Sequence, residues 1–170
     1  MYVYKHFKLT KHNDYMSPKH VWEDIKQFIP KDKIIWESAY GDGSSGDNLE
    51  KLGFDVIHEP IDYFSEQPEK WDIQITNPPF SIKKQWFTRS KQLNKPFIIL
   101  CPINILATNY MRELFADEPL QIIIPRKRIH FIKCDKDGKQ DVEFNEKRRC
   151  TFDSIYYCYK MNLPKDITFL

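Results

Sequence analysis

The chain has 170 residues, 41% hydrophobic and 15% aromatic, enough for one substantial core and short for two, so a single domain over 1–170 is expected. Its 26 basic and 24 acidic side chains leave a formal charge of +2; charge alone therefore does not identify a nucleic-acid partner, and any basic binding face must be local. The four cysteines, at 101, 134, 150 and 158, form no CxxC pair and have no histidine at zinc-ligand spacing, which argues against a metal centre and a disulfide framework and for a reducing, cytoplasmic compartment.

The N-terminal stretch MYVYKHFKLTKHNDY is polar and aromatic, with no apolar run of signal-peptide length. No later stretch approaches the roughly 18 apolar residues of a membrane span, so no membrane partner is expected. Ser17-Pro18 predicts a helix start, serine as N-cap and proline at the first helical position. Val21, Ile25, Phe28 and Ile29 then share a face until Pro30 ends the helix. KIIWE (33–37) is a short apolar run closed by an acid and followed by the glycine-rich turn AYGDGSSG; it predicts a buried strand. A helix through Leu49 and Leu52 stops at Gly53, FDVIHEP gives a second strand and WDIQIT a third, with NPPFS as its exit turn.

Ile82, Trp86 and Leu93 predict the next helix, capped by Ser81. PFIILCP is a further buried strand, a helix runs through Tyr110 to Phe115, and LQIIIP follows as a strand. Two last strands, about 129–133 and 151–159, flank CDKDGKQDVEFNEKRR, a polar loop or long hairpin. Strands alternating with helices predict an α/β, Rossmann-like fold: a mostly parallel seven-stranded sheet with an antiparallel closing strand and helices on both faces.

GDGSSG satisfies GxGxxG through Gly41, Gly43 and Gly46, after a strand and before a helix, with Glu59 at a distance suited to a ribose hydroxyl. Alone, that spacing fits a nicotinamide oxidoreductase. Glu37 and Asp42, however, would repel a pyrophosphate. A carboxylate ahead of small residues suits a ligand with a cationic amino-acid end, because Glu37 can accept from an ammonium while Ala39, Gly41 and Gly43 let the ligand approach the backbone.

Asn77-Pro78-Pro79-Phe80 directly behind a predicted strand carries more information. Two prolines lack N–H donors and fix φ, so the ladder must stop there, and on that ground alone the pair reads as structural. The chemistry explains more. An aryl amine is a poor nucleophile because its lone pair is delocalised into the ring. The Asn77 side-chain carbonyl and the Pro78 main-chain carbonyl can accept both amino hydrogens, and the prolines hold these acceptors rigidly. Phe80 offers a face on which a base stacks, worth about 1–3 kcal/mol.

TNPPF, a strand–helix–strand unit after ESAYGDG, resembles the N6-adenine DNA methyltransferases, S-adenosylmethionine-dependent enzymes whose asparagine-proline-proline-aromatic motif holds a flipped adenine beside the cofactor. YMSP, Tyr15, Met16, Ser17 and Pro18, is similar to the family's short N-terminal motif at the cofactor's methionine part. VIHEPIDYF resembles its second and third motifs. The resemblance implies a class I methyltransferase fold, S-adenosylmethionine as cofactor and DNA as partner, with RNA also open. It implies that Asn77, Pro78, Pro79 and Phe80 hold the target and that Asn77 also borders the cofactor. Glu37, Ala39, Gly41, Asp42 and Gly43 would surround the methionine moiety, Glu59 the ribose, and Asp62 with Tyr63 the cofactor adenine. The family's ribose-binding acid commonly stands where this chain has Pro60, so Glu59 substitutes for it. The target-recognition domain of longer members has no counterpart, which leaves room for a homodimer or for a partner subunit that reads the target.

IPRKRIHFIK gathers Arg126, Lys127, Arg128, His130 and Lys133 around a strand entry, and Lys147, Arg148 and Arg149 precede the next strand. Joined as a hairpin, the two clusters would meet at one end and contact a phosphate backbone; apart, they are solvated surface. The stretch from Asp135 has Glu146 at the twelfth place of a calcium loop, but Lys139 and Gln140 stand where an oxygen ligand and glycine are needed. His58 reads as structural, and Cys101 and Cys158 as buried and inert. Adenine methylation in RNA, methylation of a protein glutamine amide, and a non-catalytic cofactor-binding subunit are the alternatives to DNA adenine methylation.

Overall fold

A computed structural model of the chain describes residues 15–134 and 150–170. The stretch 135–149, with Lys147, Arg148, Arg149 and the calcium-like run, lies outside the described residues. The main sheet has seven strands: β2 (Ile34–Trp36), β3 (Asp55–Ile57), β4 (Ile73–Thr76), β5 (Phe97–Pro102), β6 (Leu120–Ile124), β8 (Ser154–Tyr159) and β9 (Ile167–Phe169), in the order β3-β2-β4-β5-β8-β6-β9. β8 runs antiparallel to both its neighbours, and the other pairings are parallel. A separate two-stranded ladder joins β1 (Tyr15–Met16) to β7 (Ile132–Lys133), antiparallel, with Tyr15 opposite Lys133.

Period-two alternation assigns side chains to two cores. Ile35, Ile73, Ile75, Ile98, Leu100, Ile123, Tyr156 and Cys158 face one side, where α1 (His20–Glu23) and α2 (Ser44–Lys51) lay Val21, Trp22 and Leu49 against them. Trp36, Phe97, Ile99, Cys101, Ile122, Ile155, Tyr157 and Tyr159 face the other, covered by Trp86 and Phe87 of α3 (Lys83–Leu93) and Met111 of α4 (Asn109–Leu114). All six residues of β5 and all six of β8 are buried. A strand with no polar face must sit inside a sheet, which is why β8 is inserted between β5 and β6 and does not close an edge. For the same reason β7 does not pair with β8 as a hairpin; its partner is β1. The edge strand β9, with Ile167 and Phe169 exposed, was not anticipated.

The helix starts differ from expectation. α1 opens at His20, after a turn closed by Val21 N–H donating to the Pro18 carbonyl at 3.1 Å, and Ser17 is buried with no partner for its hydroxyl. α3 opens at Lys83 behind a 3-10 turn over Phe80–Ile82, without a side-chain cap. Among the described residues no helix is long and apolar enough to cross a membrane.

On the α3 face, the Tyr63 ring lies parallel to Trp86 with centroids 3.9 Å apart, and Trp36 packs on Tyr63 and Trp71 at 5.5 and 5.0 Å. Trp86→Ala should lower stability by about 3–5 kcal/mol, the usual cost of deleting a large buried ring. Urea unfolding would show this as a shifted midpoint with an unchanged slope.

Candidate active site

The chain leaves β2 through α2 on one face to reach β3, and leaves β4 through α3 on the opposite face to reach β5. β2 and β4 are neighbours, so the sheet has its switch point between them, and the carboxyl edge there is the place where open α/β sheets bind ligands. Glu37 to Gly43 follow β2 there, and Asn77 to Phe80 follow β4.

Glu37 is 1% exposed. Its carboxylate accepts from Ala39 N–H at 3.0 Å, from Thr76 Oγ1 at 2.6 Å and from Ser45 Oγ, which itself accepts from Trp22 Nε1 at 2.9 Å. Ala39 N–H is shared with Thr76 Oγ1 at 3.1 Å. Burial pushes the Glu37 carboxyl up to about 7, against the pull of the hydrogen bonds from Ser45, Thr76 and Ala39. A carboxylate has about four acceptor sites, and three are taken by the protein. Glu37 therefore holds the loop in shape.

Gly41 and Gly43 have φ of +58° and +85°, left-handed values that favour glycine. A Cβ on Gly41 would stand 3.2 Å from Met16 Sδ, so β1 is seated directly on this loop. Asp42 Oδ1 accepts from Ser44 N–H at 3.0 Å and from Ser44 Oγ at 2.5 Å, fastening the start of α2. The third glycine of GxGxxG, Gly46, makes room for His58, whose imidazole a Cβ there would overlap. His58 Nε2 lies 3.8 Å from Asp47 Oδ1 and 3.5 Å from Glu50 Oε1; among the described residues this is the His/carboxylate group able to hold a metal ion, with both acids exposed.

Asn77 Nδ2 donates to the Tyr15 carbonyl at 3.2 Å. Only the NH2 side of an amide can donate to a carbonyl, so Oδ1 faces away from Tyr15, and there it is buried without a hydrogen-bond partner among the described residues. Pro78 is buried, and Lys83 Nζ donates to the Phe80 carbonyl at 2.9 Å, pinning the turn. The Phe80 ring belongs to a group of four. It lies 6.1 Å from Tyr15 at 22°, and 5.6 Å from both Phe131 and Phe152 at 78° and 86°. Phe131 and Phe152 are themselves near-parallel at 6.1 Å.

Other sequence candidates scatter. Tyr15 and Met16 form β1 over the loop, with Ser17 and Pro18 next to them. Glu59 is exposed just past the carboxyl end of β3. Asp62 accepts from Phe64 N–H and Ser65 Oγ, both at 3.0 Å, and so shapes its own turn. Tyr63 is a correction: it has no exposed surface, and its hydroxyl is bonded to Ser90 at 2.7 Å and accepts from Gln74 Nε2 at 3.2 Å. The connection from β3 to β4 drops this ring into the core against Trp86.

The basic stretch begins at the exit of β6, on the same carboxyl edge, and runs to Phe131 beside Phe80. Arg126, Lys127 and His130 are exposed and Lys133 is half-buried on β7. Arg128 is engaged by both oxygens of Asp153, at 2.8 and 3.0 Å. Sequence reasoning missed Trp22, Ser45, Thr76, Phe131 and Phe152. A threonine and a glutamine at alternate places in the apolar strand WDIQIT were the available signal for Thr76.

Because the folded chain binds the Glu37 proton more tightly than the ordinary carboxyl value of 4.5, the stabilisation tied to that proton is complete below about pH 4.5. It is lost as pH rises towards about 7 and is flat above. Urea titrations of the wild type and Glu37→Gln across this window should show the wild type losing ground relative to the variant as pH rises; a difference independent of pH would refute the raised affinity.

No protein-family model and no curated sequence matches the chain. Solved structures do. A Listeria monocytogenes protein assigned to the class I S-adenosylmethionine-dependent methyltransferases superposes over 97% of this chain and 67% of its own length, with a TM-score of 0.52 and 13% identity. A dimethyladenosine transferase from Plasmodium falciparum aligns with 85% of this chain, which spans 62% of that protein, at a TM-score of 0.45 and 10% identity. At such identity the likeness to the Listeria protein is one of architecture: the chain has the class I methyltransferase fold.

Proposed function

We propose that the chain transfers a methyl group from S-adenosylmethionine to the exocyclic N6 amino group of adenine, in DNA. The observation that carries this reading is the buried, unpartnered Oδ1 of Asn77 at the carboxyl edge of the sheet. A buried acceptor left without a donor costs about 1–3 kcal/mol, and such a cost persists where a ligand relieves it.

The residues fit the cofactor. The loop from Ala39 to Gly43 turns at two glycines of positive φ beneath Met16 and Tyr40, Ser17 Oγ, next to Met16 in sequence, is a buried hydroxyl without a partner among the described residues, and exposed Glu59 follows the neighbouring strand. Ser17, Ala39, Gly41 and Gly43 would hold the methionine part and Glu59 the ribose. When bound, the cofactor supplies a sulfonium methyl, already a strong electrophile.

The protein's part is positioning. Asn77 Oδ1 and the Pro78 carbonyl accept the two amino hydrogens, drawing them out of the ring plane so that the nitrogen lone pair is less delocalised into the ring. Holding reactants near attack distance supplies about 7–11 kcal/mol. No dedicated base is needed, because the methylated nitrogen becomes acidic and sheds its proton to solvent afterwards. Phe80, with Tyr15, Phe131 and Phe152 around it, provides aromatic surface for a base, which favours a nucleobase over a glutamine amide. Arg126, Lys127 and His130 on the same edge suit a phosphate backbone. A duplex target must be flipped out, at a cost of a few kcal/mol; target recognition by a second copy or by a partner subunit belongs to the same proposal.

Labelled methyl transfer to DNA, RNA and protein, followed by nucleoside analysis, tests the reading, with N6-methyladenine in DNA expected. Label in glutamine or in RNA alone would replace the substrate, and activity only in a mixture with another subunit would make this chain the cofactor-binding partner. S-adenosylmethionine should raise the melting temperature and NAD should not. Asn77→Ala should lower kcat at least about 100-fold, as removal of a preorganised group does. Phe80→Ala should weaken kcat/KM by about 5- to 150-fold, the equivalent of one lost stacking contact. Full activity in both variants would refute the mechanism.

A further inference from the structure

We infer that Thr76 is a positioning residue of the proposed reaction, its hydroxyl fastening the loop after β2 to the tetrapeptide after β4 and so setting the distance between the two halves of the site. The inference rests on the reading above, and extends it to a residue that touches neither reactant.

The backbone pairing of β2 with β4 runs Ile35 with Ile73 and Trp36 with Gln74. Beyond that register the backbone ladder ends, and side chains take over. Gln74 and Thr76 are the polar positions of a strand whose other residues, Ile73 and Ile75, are apolar, and alternation puts both on one face. Gln74 Nε2 donates to Ser38 Oγ at 2.7 Å. Thr76 Oγ1 donates to Glu37 Oε1 at 2.6 Å and accepts from Ala39 N–H at 3.1 Å. Three consecutive residues of the β2 exit, Glu37, Ser38 and Ala39, are thus held by two side chains of β4.

Thr76 has no exposed surface, and its peptide bond leads directly to Asn77. The opposite side of Glu37 is held by Ser45 of α2, backed by Trp22 of α1. A shift of the β2 exit relative to Asn77 must therefore stretch the Thr76 hydroxyl bonds first. In a reaction whose rate depends on in-line placement, a misplacement of about 1 Å costs on the order of 100-fold. Cofactor affinity, spread over the loop backbone and the segment after β3, depends far less on that one spacing.

The test compares Thr76→Val, which keeps the shape and loses the hydroxyl, with Thr76→Ser, which keeps the hydroxyl. Methyl transfer to an adenine oligonucleotide gives kcat and KM, and titration with S-adenosylmethionine gives the cofactor Kd. Thr76→Val should lose at least 10-fold in kcat with the cofactor Kd changed less than about 3-fold, and Thr76→Ser should restore kcat to within about 3-fold of wild type. If Thr76→Val does not fold, Thr76→Ala against Thr76→Ser carries the same comparison. An active wild type with an equally active Thr76→Val, or a Thr76→Ser as impaired as Thr76→Val, overturns the inference alone. A wild type that methylates no adenine overturns the reading beneath it and the inference together.

Discussion

A carboxylate taken out of water must be given donors, and the burial of Glu37 organises the site around that requirement. Unpaired, the charge would cost several kcal/mol. Its donors come from three places in the chain: Ala39 two residues on, Ser45 at the start of α2, and Thr76 at the end of β4. Satisfying one group therefore closes the glycine turn, docks a helix and ties two strands at the point where their backbones separate. Burial outweighs the three hydrogen bonds and raises the carboxyl to about 7.

Asn77 presents the opposite condition a short distance along the same edge. Its NH2 is anchored on the Tyr15 carbonyl and its Oδ1 is buried with nothing to accept from. Satisfied polar groups build the scaffold, and Asn77 Oδ1 is the buried acceptor at this edge to which the proposed reading assigns a ligand's hydrogens. β1 links the two conditions, with Met16 Sδ packed over Gly41, the Tyr15 carbonyl on Asn77 and the Tyr15 ring near Phe80.

Much of this was legible in the sequence because the central strands are long apolar runs. FIILCP could only be a buried strand, and TNPPF could only end one. What stayed hidden has physical causes. A two-residue ladder such as Tyr15–Met16 with Ile132–Lys133 has no periodicity to read, and ITF near the C-terminus is too short to distinguish from a loop. Ser17 satisfies the N-cap pattern, yet its hydroxyl is turned into the protein. Tyr63 follows an acid as a ligand-facing residue would, and only packing against Trp86 decides that it belongs to the core. Phe131 and Phe152 look like ordinary apolar residues until four rings converge, and the partners of Thr76 lie 37 and 39 residues away.

The glycine loop itself separates the two chemistries that GxGxxG left open. A dinucleotide site needs the first N–H groups of the helix free for pyrophosphate and no carboxylate near them. Here Ser44 N–H, the first of α2, is already bonded to Asp42. Gly46, which in a dinucleotide fold brings helix and strand together, instead receives the His58 imidazole. A diphosphate would have to displace Asp42 from the helix start while sitting near buried Glu37. A ligand with a cationic end meets no such conflict. The same residues that fit the fingerprint of one cofactor class thus present the electrostatics of the other.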